Sequence, residues 1–276
     1  MKAASINGSE ELRMSYRYET HLHTCQASAC GRSTGSEHAR FYKDAGYQGI
    51  IVTDHFFGGN TAVPKDLPWK ERVEWFCSGY EDALSQGQRI GLDVFFGWEQ
   101  GFERDEYLVY GLDKAWLLSH PEMERWTRAQ QLEEVHRAGG CVIQAHPFRD
   151  RAYIPRILLG LRYCDGIEVA NAGNQPYNDA YAARYAQALG LFGIAGSDNH
   201  LSGEGGWTAE RLLGVTTEER LADMRDFAAR VRSRRGLAPI LRPLDVDESS
   251  APRLKSYWLD ESERPVPTGR DWLREK

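Results

Sequence analysis

Short apolar runs rich in β-branched and aromatic residues alternate with helical patterns along most of this chain, which restricts it to architectures that interleave strands and helices. The spacing predicts strands over 16–24, 49–53, 94–99, 107–112, 141–145, 166–170, 191–196 and 211–215. Helices are predicted over 37–45, 72–86, 128–138, 180–189 and 218–234. Gly46, Gly139 and Gly190 each follow a helical pattern directly, where glycine can take the left-handed conformation that ends a helix. Repeated strand, helix, strand units imply parallel pairing. This many of them in 276 residues suits a closed α/β barrel, a fold of about 250 residues, better than an open sheet. The expected architecture is one distorted barrel over residues 1–241. From Arg242 onward, Pro243, Pro252, Pro265 and Pro267 are interleaved with charges without periodicity, which predicts a tail or strap over 242–276 laid on the barrel.

Five of the eight histidines fall at or just beyond the carboxyl end of a predicted strand: His21, His23, His55, His146 and His200. In an α/β barrel those ends share one face, where the connecting loops converge. Glu99 and Asp198 close strands in the same way. His21-x-His23 puts both imidazoles on one side of a strand by the two-residue period, and Asp198-x-His200 repeats the spacing. A carboxylate ending an apolar run, as Glu99 does, calls for a cationic partner or a metal. One such histidine is ordinarily a hydrogen-bonded structural residue; the joint placement carries the metal reading. Imidazoles and carboxylates together suit manganese, zinc or iron rather than magnesium or calcium alone, with one to three ions per chain. His38, His120 and His136 lie on helix or loop patterns and are read as structural.

Composition narrows the function classes. With 34 basic and 40 acidic residues the net charge is −6, so an extended nucleic acid would meet no overall basic field. The densest basic run, Arg230 to Arg235, falls on the last helical pattern, where a solvated face or the helix dipole explains it. No apolar run approaches the ~20 residues of a membrane span, and residues 1–14 lack the apolar stretch of a signal peptide; the expectation is a cytoplasmic protein. Five cysteines without a Cys-x-x-Cys suggest reduced thiols rather than a disulfide framework.

The ordered set His21-Leu22-His23-Thr24, Thr53-Asp54-His55, Glu99, His146-Pro147 and Asp198-Asn199-His200 resembles the PHP (polymerase and histidinol phosphatase) metal-dependent phosphoesterases, over roughly residues 16–215. The resemblance implies a distorted (β/α)7 TIM-like barrel with up to three metals. By it, His21, His23, Glu99 and Asp198 would hold one ion, Glu99 would bridge to a second also bound by His146, and His55 and His200 would serve a third. Two family positions are changed. The acid or histidine expected after His-x-His falls in Ser28-Ala29-Cys30, where only Cys30 or a water could complete the third site. The histidine expected on the strand after Glu99 aligns with Leu108, which costs the second site a ligand.

Such a cluster suits hydrolysis of a phosphate ester by metal-activated hydroxide, with Asp198 as ligand and proton acceptor and Glu99 and Arg149 completing the catalytic set. Arg149, three residues past His146, and Arg32 are candidate phosphate contacts, and Asn171 a candidate substrate contact beside Asn174. The favoured substrate is a small phosphomonoester of the histidinol-phosphate or nucleotide type. A phosphodiesterase or nuclease of the same family and a non-catalytic metal-binding regulatory module are the alternatives. Related amide hydrolases would need a bridging lysine, and no predicted strand carries one. The glycine-rich segments 56–60 and 203–207 can line or cover the pocket, and the oligomeric state is not encoded in any of these features.

Overall fold

A computed structural model describes residues 15–203, 205–243 and 252–268. Residues 1–14, Glu204 in the glycine-rich segment 203–207, and parts of the expected tail (244–251 and 269–276) lie outside the described residues.

The apolar runs form β1 (Tyr16–Glu19), β2 (Gly49–Val52), β3 (Asp93–Phe102), β4 (Asp105–Tyr110), β5 (Cys141–Gln144), β6 (Ile157–Leu159), β7 (Gly166–Asn171), β8 (Phe192–Gly196), β9 (Gly214–Thr217) and β10 (Ala238–Ile240). Between and after them lie α1 (Gly35–Asp44), α2 (Trp69–Ile90), α3 (Lys114–Leu118), α4 (Arg128–Arg137), α5 (Pro176–Leu189) and α6 (Met224–Ser233). Thr34 and Glu37 close a reciprocal capping box at the start of α1, and Thr127 and Gln130 do so for α4. Gly46, Gly139 and Gly190 carry φ of +80°, +88° and +61°, the left-handed values expected after the helices.

Nine strands form one sheet in the order β10-β9-β1-β2-β3-β4-β5-β7-β8. β8 packs alongside β9 and β10, so the sheet curls into a nearly closed barrel. Its interior is filled by Tyr18, Ile51, Leu108, Tyr110, Ile143, Ile194 and Val215. α6 plugs one end, with Phe227 edge-on to Tyr110 at 4.9 Å. Outside, Phe56, Phe76, Phe96 and Trp98 pack α2 against the sheet.

The all-parallel expectation is corrected at two places. β4 runs antiparallel to both β3 and β5, and β9 runs antiparallel to β1. The two-residue link Glu103-Arg104, with φ of +50° and +74°, is a hairpin turn that leaves no room for a crossover helix, and such a link forces antiparallel pairing. β9 follows β8 through only a 3-10 turn at Ala209–Arg211. In the expected tail, β11 (Ser256–Leu259) and β12 (Pro265–Pro267) form a small sheet with β6, in which β11 pairs parallel to β6. Trp258 lies 6.1 Å from the ring of Tyr185 on α5. Strands this short, with prolines at the edge, leave no period to read in the sequence. No helix of the described residues is long and apolar enough to cross a membrane.

At the site end of the barrel a buried carboxylate joins two strands. Glu19 Oε1 accepts from the backbone N–H groups of Thr20 (2.9 Å), His21 (2.8 Å) and Ser197 (2.9 Å), and Oε2 accepts from the Tyr42 hydroxyl at 2.6 Å. This fixes the chain leaving β1 against the chain leaving β8. Replacing Glu19 by alanine orphans three buried N–H groups, each costing about 1 kcal/mol or more. Glu19→Ala is therefore expected to destabilise by roughly 3 kcal/mol, read from the urea midpoint, while Glu19→Gln, which keeps an acceptor, loses less.

Candidate metal centre

All seven predicted ligands meet at the carboxyl end of the barrel. His21 and His23 follow β1, His55 follows β2, Glu99 lies within β3, His146 follows β5, and Asp198 and His200 follow β8. Single parallel bridges, Leu22 to Asn199 and His55 to Glu99, carry the pairing past the strand ends and bring these loops together. His146 (φ +29°) and Asp198 (φ +55°) hold left-handed backbone that side-chain-bearing residues avoid, and strain of this kind persists at sites where the surroundings impose it.

Two imidazoles and two carboxylates form the innermost group. His21 Nε2 lies 3.0 Å from His23 Nε2, 3.3 Å from Glu99 Oε1 and 3.5 Å from Asp198 Oδ1. His23 Nε2 lies 3.1 Å from Asp198 Oδ1 and 3.5 Å from Glu99 Oε2. Tetrahedral ligands about 2.1 Å from a zinc-like ion stand roughly 3.4 Å from one another, so this spacing fits a shared cation. A second group joins Glu99 Oε1 to His146 Nε2 at 3.1 Å, with Glu106 Oε2 3.5 Å from the same nitrogen. His55 Nδ1 faces Glu99 Oε2 at 2.7 Å and Glu106 Oε1 at 3.8 Å. Both atoms of the 2.7 Å contact are buried without a hydrogen-bond partner, which leaves lone pairs directed at common space and fits a cation there. The outermost group sets His23, His55 and His200 together, with the His23 ring stacked on the other two at 4.3 and 4.4 Å.

The partners behind the ligands select which nitrogen faces the cluster. His21 Nδ1 meets Glu168 Oε1 at 3.0 Å, which leaves Nε2 as the lone-pair atom. His23 Nδ1 meets Ser28 Oγ at 3.2 Å, and that hydroxyl donates to Asp54 Oδ1 at 2.6 Å, so it accepts from the imidazole. His200 Nδ1 donates to the Asp198 carbonyl at 2.7 Å. Glu168 also accepts from the His146 backbone N–H and the Asn171 amide. Gly196 is required beside it: a Cβ there would stand 2.5 Å from His21 Cβ and 2.7 Å from Glu168 Oε1.

The charges are strongly interdependent. Burial opposes a proton on His21, yet Asp198, Glu168 and Glu99 hold its pKa well above the usual imidazole value. Burial, with His55 and His200 beside it, keeps His23 well below that value. Against burial, His55 and His21 hold Glu99 far below the carboxylate range, and His21 and Arg149 do the same for Asp198. Burial lifts Asp54 to about 6 despite hydrogen bonds from Ser28 and Thr24. Burial also raises the Cys30 thiol, but hydrogen bonds with His200 and His55 outweigh it and bring the group to about 6.

Several expectations change here. Leu108, read as the position of a missing ligand, is a buried core residue of the barrel interior. Because β4 runs antiparallel, the site end of that strand is its beginning, and Glu106 supplies the carboxylate there. A strand-initial acid two residues before Leu108 was the available signal, masked by the parallel assumption. Asn171, expected to meet substrate, is fully buried: its Nδ2 donates to Glu168, and its Oδ1 accepts from Arg149 and the Gly173 N–H. Asn174 accepts from Arg149 Nε and donates to Asp179. Arg149 donates through Nη2 to Asp198 Oδ2 at 2.7 Å. That bond engages one carboxylate oxygen of Asp198, and Arg149 with His21 keeps the group ionised. The Arg32 side chain is exposed and absent from the cavity lining, while its backbone N–H holds the His200 carbonyl at 2.8 Å. His38 is structural as expected, bonded to Ser202 Oγ and the His23 carbonyl. All five cysteines are free.

The cluster opens into a cavity of about 690 Å³ lined by Cys30, His55, Gly58, Glu99, Glu106, Arg149 and His200, with Arg104 and Tyr153 toward the mouth. Trp207 of the segment 203–207 is stacked under Arg211 at 4.5 Å rather than lying over this cavity.

No family model matches the sequence, and no curated protein matches it. Solved structures do match. A two-domain protein from Bacteroides vulgatus containing a predicted PHP-like metal-dependent phosphoesterase superimposes with a TM-score of 0.61 at 17% identity, over 83% of this chain and 65% of that one. The chain thus spans just under two thirds of that protein. A candidate metal-dependent phosphoesterase from Bifidobacterium adolescentis gives a TM-score of 0.47 at 18% identity over 71% of this chain and 92% of that one. An amidohydrolase from Chromobacterium violaceum with bound sulfate gives 0.49 at 19% identity over 83% and 99%. The chain shares the PHP-like barrel fold of the Bacteroides protein.

Glu168→Gln is expected to leave the fold intact and weaken binding of the innermost cation about 10- to 100-fold, the usual effect of losing a ligand-orienting carboxylate. Isothermal titration of the metal-free protein with zinc measures it. Glu106→Ala is expected to lower the bound-metal count in the same titration, and an unchanged count would exclude Glu106 as a ligand.

Proposed function

We propose that this protein is a metal-dependent hydrolase whose substrate is a small phosphomonoester. The convergence of overlapping donor sets, His21 with His23 and Asp198, His21 with Glu99 and His146, and His55 with Glu99 and Glu106, carries this reading. Bound cations supply water activation at neutral pH and neutralise charge on a transferring phosphoryl group.

The chain's own residues supply the rest. Glu99 belongs to two of these sets and would be shared between cations held there. Asp198 serves as a ligand through Oδ1, while Arg149 fixes its other oxygen and keeps it ionised. Asn171 and Asn174 orient the Arg149 guanidinium, whose Nη1 has no hydrogen-bond partner among the described residues. Arg149 lines the cavity, so that donor is available to a phosphate oxygen. His21, His23 and Glu99 are almost wholly buried, which excludes bulk water from the innermost position.

Size and charge favour a small substrate. A cavity of about 690 Å³ accommodates a metabolite-sized ligand, and Glu99, Glu103, Glu106 and Asp198 balance its cations. A groove tracking a nucleic-acid backbone would be lined by cations along its length. The imidazole and carboxylate donors together suit manganese, zinc or iron.

Inorganic phosphate release from a panel of phosphomonoesters and diesters, with manganese- or zinc-loaded protein, tests the proposal. The expected result is turnover of a monoester that chelation abolishes and that His21→Ala reduces at least about 100-fold, since loss of an innermost ligand removes the cation that stabilises the transition state. Turnover confined to diesters would establish the phosphodiesterase alternative. Metal binding without turnover of either class would favour a regulatory module.

A further inference from the structure

Arg242 opens the segment expected to be a tail, yet its guanidinium reaches into the loop after β7. Nη2 donates to Asp179 Oδ2 and to the Asn174 carbonyl, each at 3.0 Å, and stands 3.3 Å from the Asn171 carbonyl. Asp179, on α5, is wholly buried. Its other oxygen accepts from Asn174 Nδ2 at 2.9 Å and from the Asn171 backbone N–H at 3.2 Å. An ionised carboxylate only accepts, so the Asn174 amide turns its NH2 group toward Asp179 and its oxygen the other way. That oxygen accepts from Arg149 Nε at 2.9 Å. Glu168 orients the Asn171 amide by the same rule, and Asn171 Oδ1 accepts from Arg149 Nη2 at 2.9 Å. Two buried acids thus aim two amide oxygens at one guanidinium. A cation beside a buried carboxylate favours its ionised form, and Arg242 is the cation paired with Asp179.

The rest of the C-terminal segment holds the same region from outside. The Arg253 N–H bonds Asp150 Oδ2 at 3.1 Å, and Asp150 Oδ1 accepts from the Tyr177 hydroxyl of α5 at 2.8 Å. Leu254 and Trp258 pack on the apolar cluster that contains Phe148. Arg149 is therefore flanked by one residue in a cluster that this segment covers and by another that the segment hydrogen-bonds. We infer that Arg242 is a positioning residue, which through Asp179 and Asn174 holds the Arg149 guanidinium in the orientation that offers Nη1 to the cavity. The inference rests on the proposed reading of Arg149 as a phosphate contact. Arg242 does not line the cavity, so it acts only through these partners. Its removal leaves Asp179 without a cation, takes a donor from the Asn174 carbonyl and frees the Asn174 amide to turn.

Two measurements on the full chain test this. The Arg149 Nε–H resonance, identified in proton–nitrogen correlation spectra by its absence from Arg149→Ala, should exchange slowly with solvent in the unaltered chain. Arg242→Ala should speed that exchange at least about 10-fold, because the bond to Asn174 is no longer held closed. Arg242→Lys keeps a charge opposite Asp179 but lacks the planar fork, so it should fall between the two, and it carries the test where the alanine variant does not fold. In phosphate release, Arg242→Ala should lower kcat/KM for the monoester about 10- to 100-fold, as misplacement of a binding group does, with the bound-metal count unchanged. Added to Arg149→Ala, it should cause no further loss. A missing or fast-exchanging Arg149 resonance in the unaltered chain, an exchange rate untouched by both variants, or a full additional loss on the Arg149→Ala background would overturn the inference. Protection that depends on Arg242 beside a silent phosphate panel would uphold its hold on Arg149 and count against the phosphoesterase reading instead.

Discussion

Two buried carboxylates that do not line the cavity hold the whole centre in place. Glu19 gathers three backbone N–H groups from the chain leaving β1 and β8. Glu168 gathers the His21 imidazole, the His146 backbone and the Asn171 side chain. Burying a carboxylate is costly unless donors surround it. Here the donors belong to the segments that carry His21, His146, Asp198 and Arg149, so the requirement to satisfy two buried acids becomes the means of positioning the ligands. The constriction at Gly196 follows from the same crowding.

The antiparallel β4 is the second constraint. A hairpin in place of a crossover helix reverses one strand of an otherwise largely parallel barrel. That reversal brings the beginning of β4, and hence Glu106, to the ligand-bearing rim and sends Leu108 into the core. It also puts the Glu103-Arg104 turn, with Arg104, at the mouth of the cavity. One change of strand direction thus puts a carboxylate on the ligand-bearing rim and a cation near the entrance.

From inside to outside, the donor set changes character. The innermost group is buried and rich in charge; the outermost is made of imidazoles and includes His200, with 29% of its side chain exposed. Imidazoles near solvent and carboxylates in the interior present different donor chemistry at different depths. Arg149 links the two levels, because it neutralises Asp198 below and lines the open cavity above.

The sequence alone determined the alternation of strands and helices, the helix ends at Gly46, Gly139 and Gly190, and the meeting of seven histidine and carboxylate side chains at one end of a barrel. These are legible because hydrophobic period, capping chemistry and strand-end position are local properties. Strand direction at β4, the small sheet of β6, β11 and β12, and the true partners of Arg149, Asn171 and Asn174 were decided only by the tertiary structure. Each depends on what a residue meets from a distant segment: Glu106 on the reversal of a strand, Asn171 on a buried acid three residues before it and an arginine from another loop, Glu19 on a strand end 178 residues away. Local pattern carries no record of those encounters, since burial and hydrogen-bond satisfaction are properties of the packed chain.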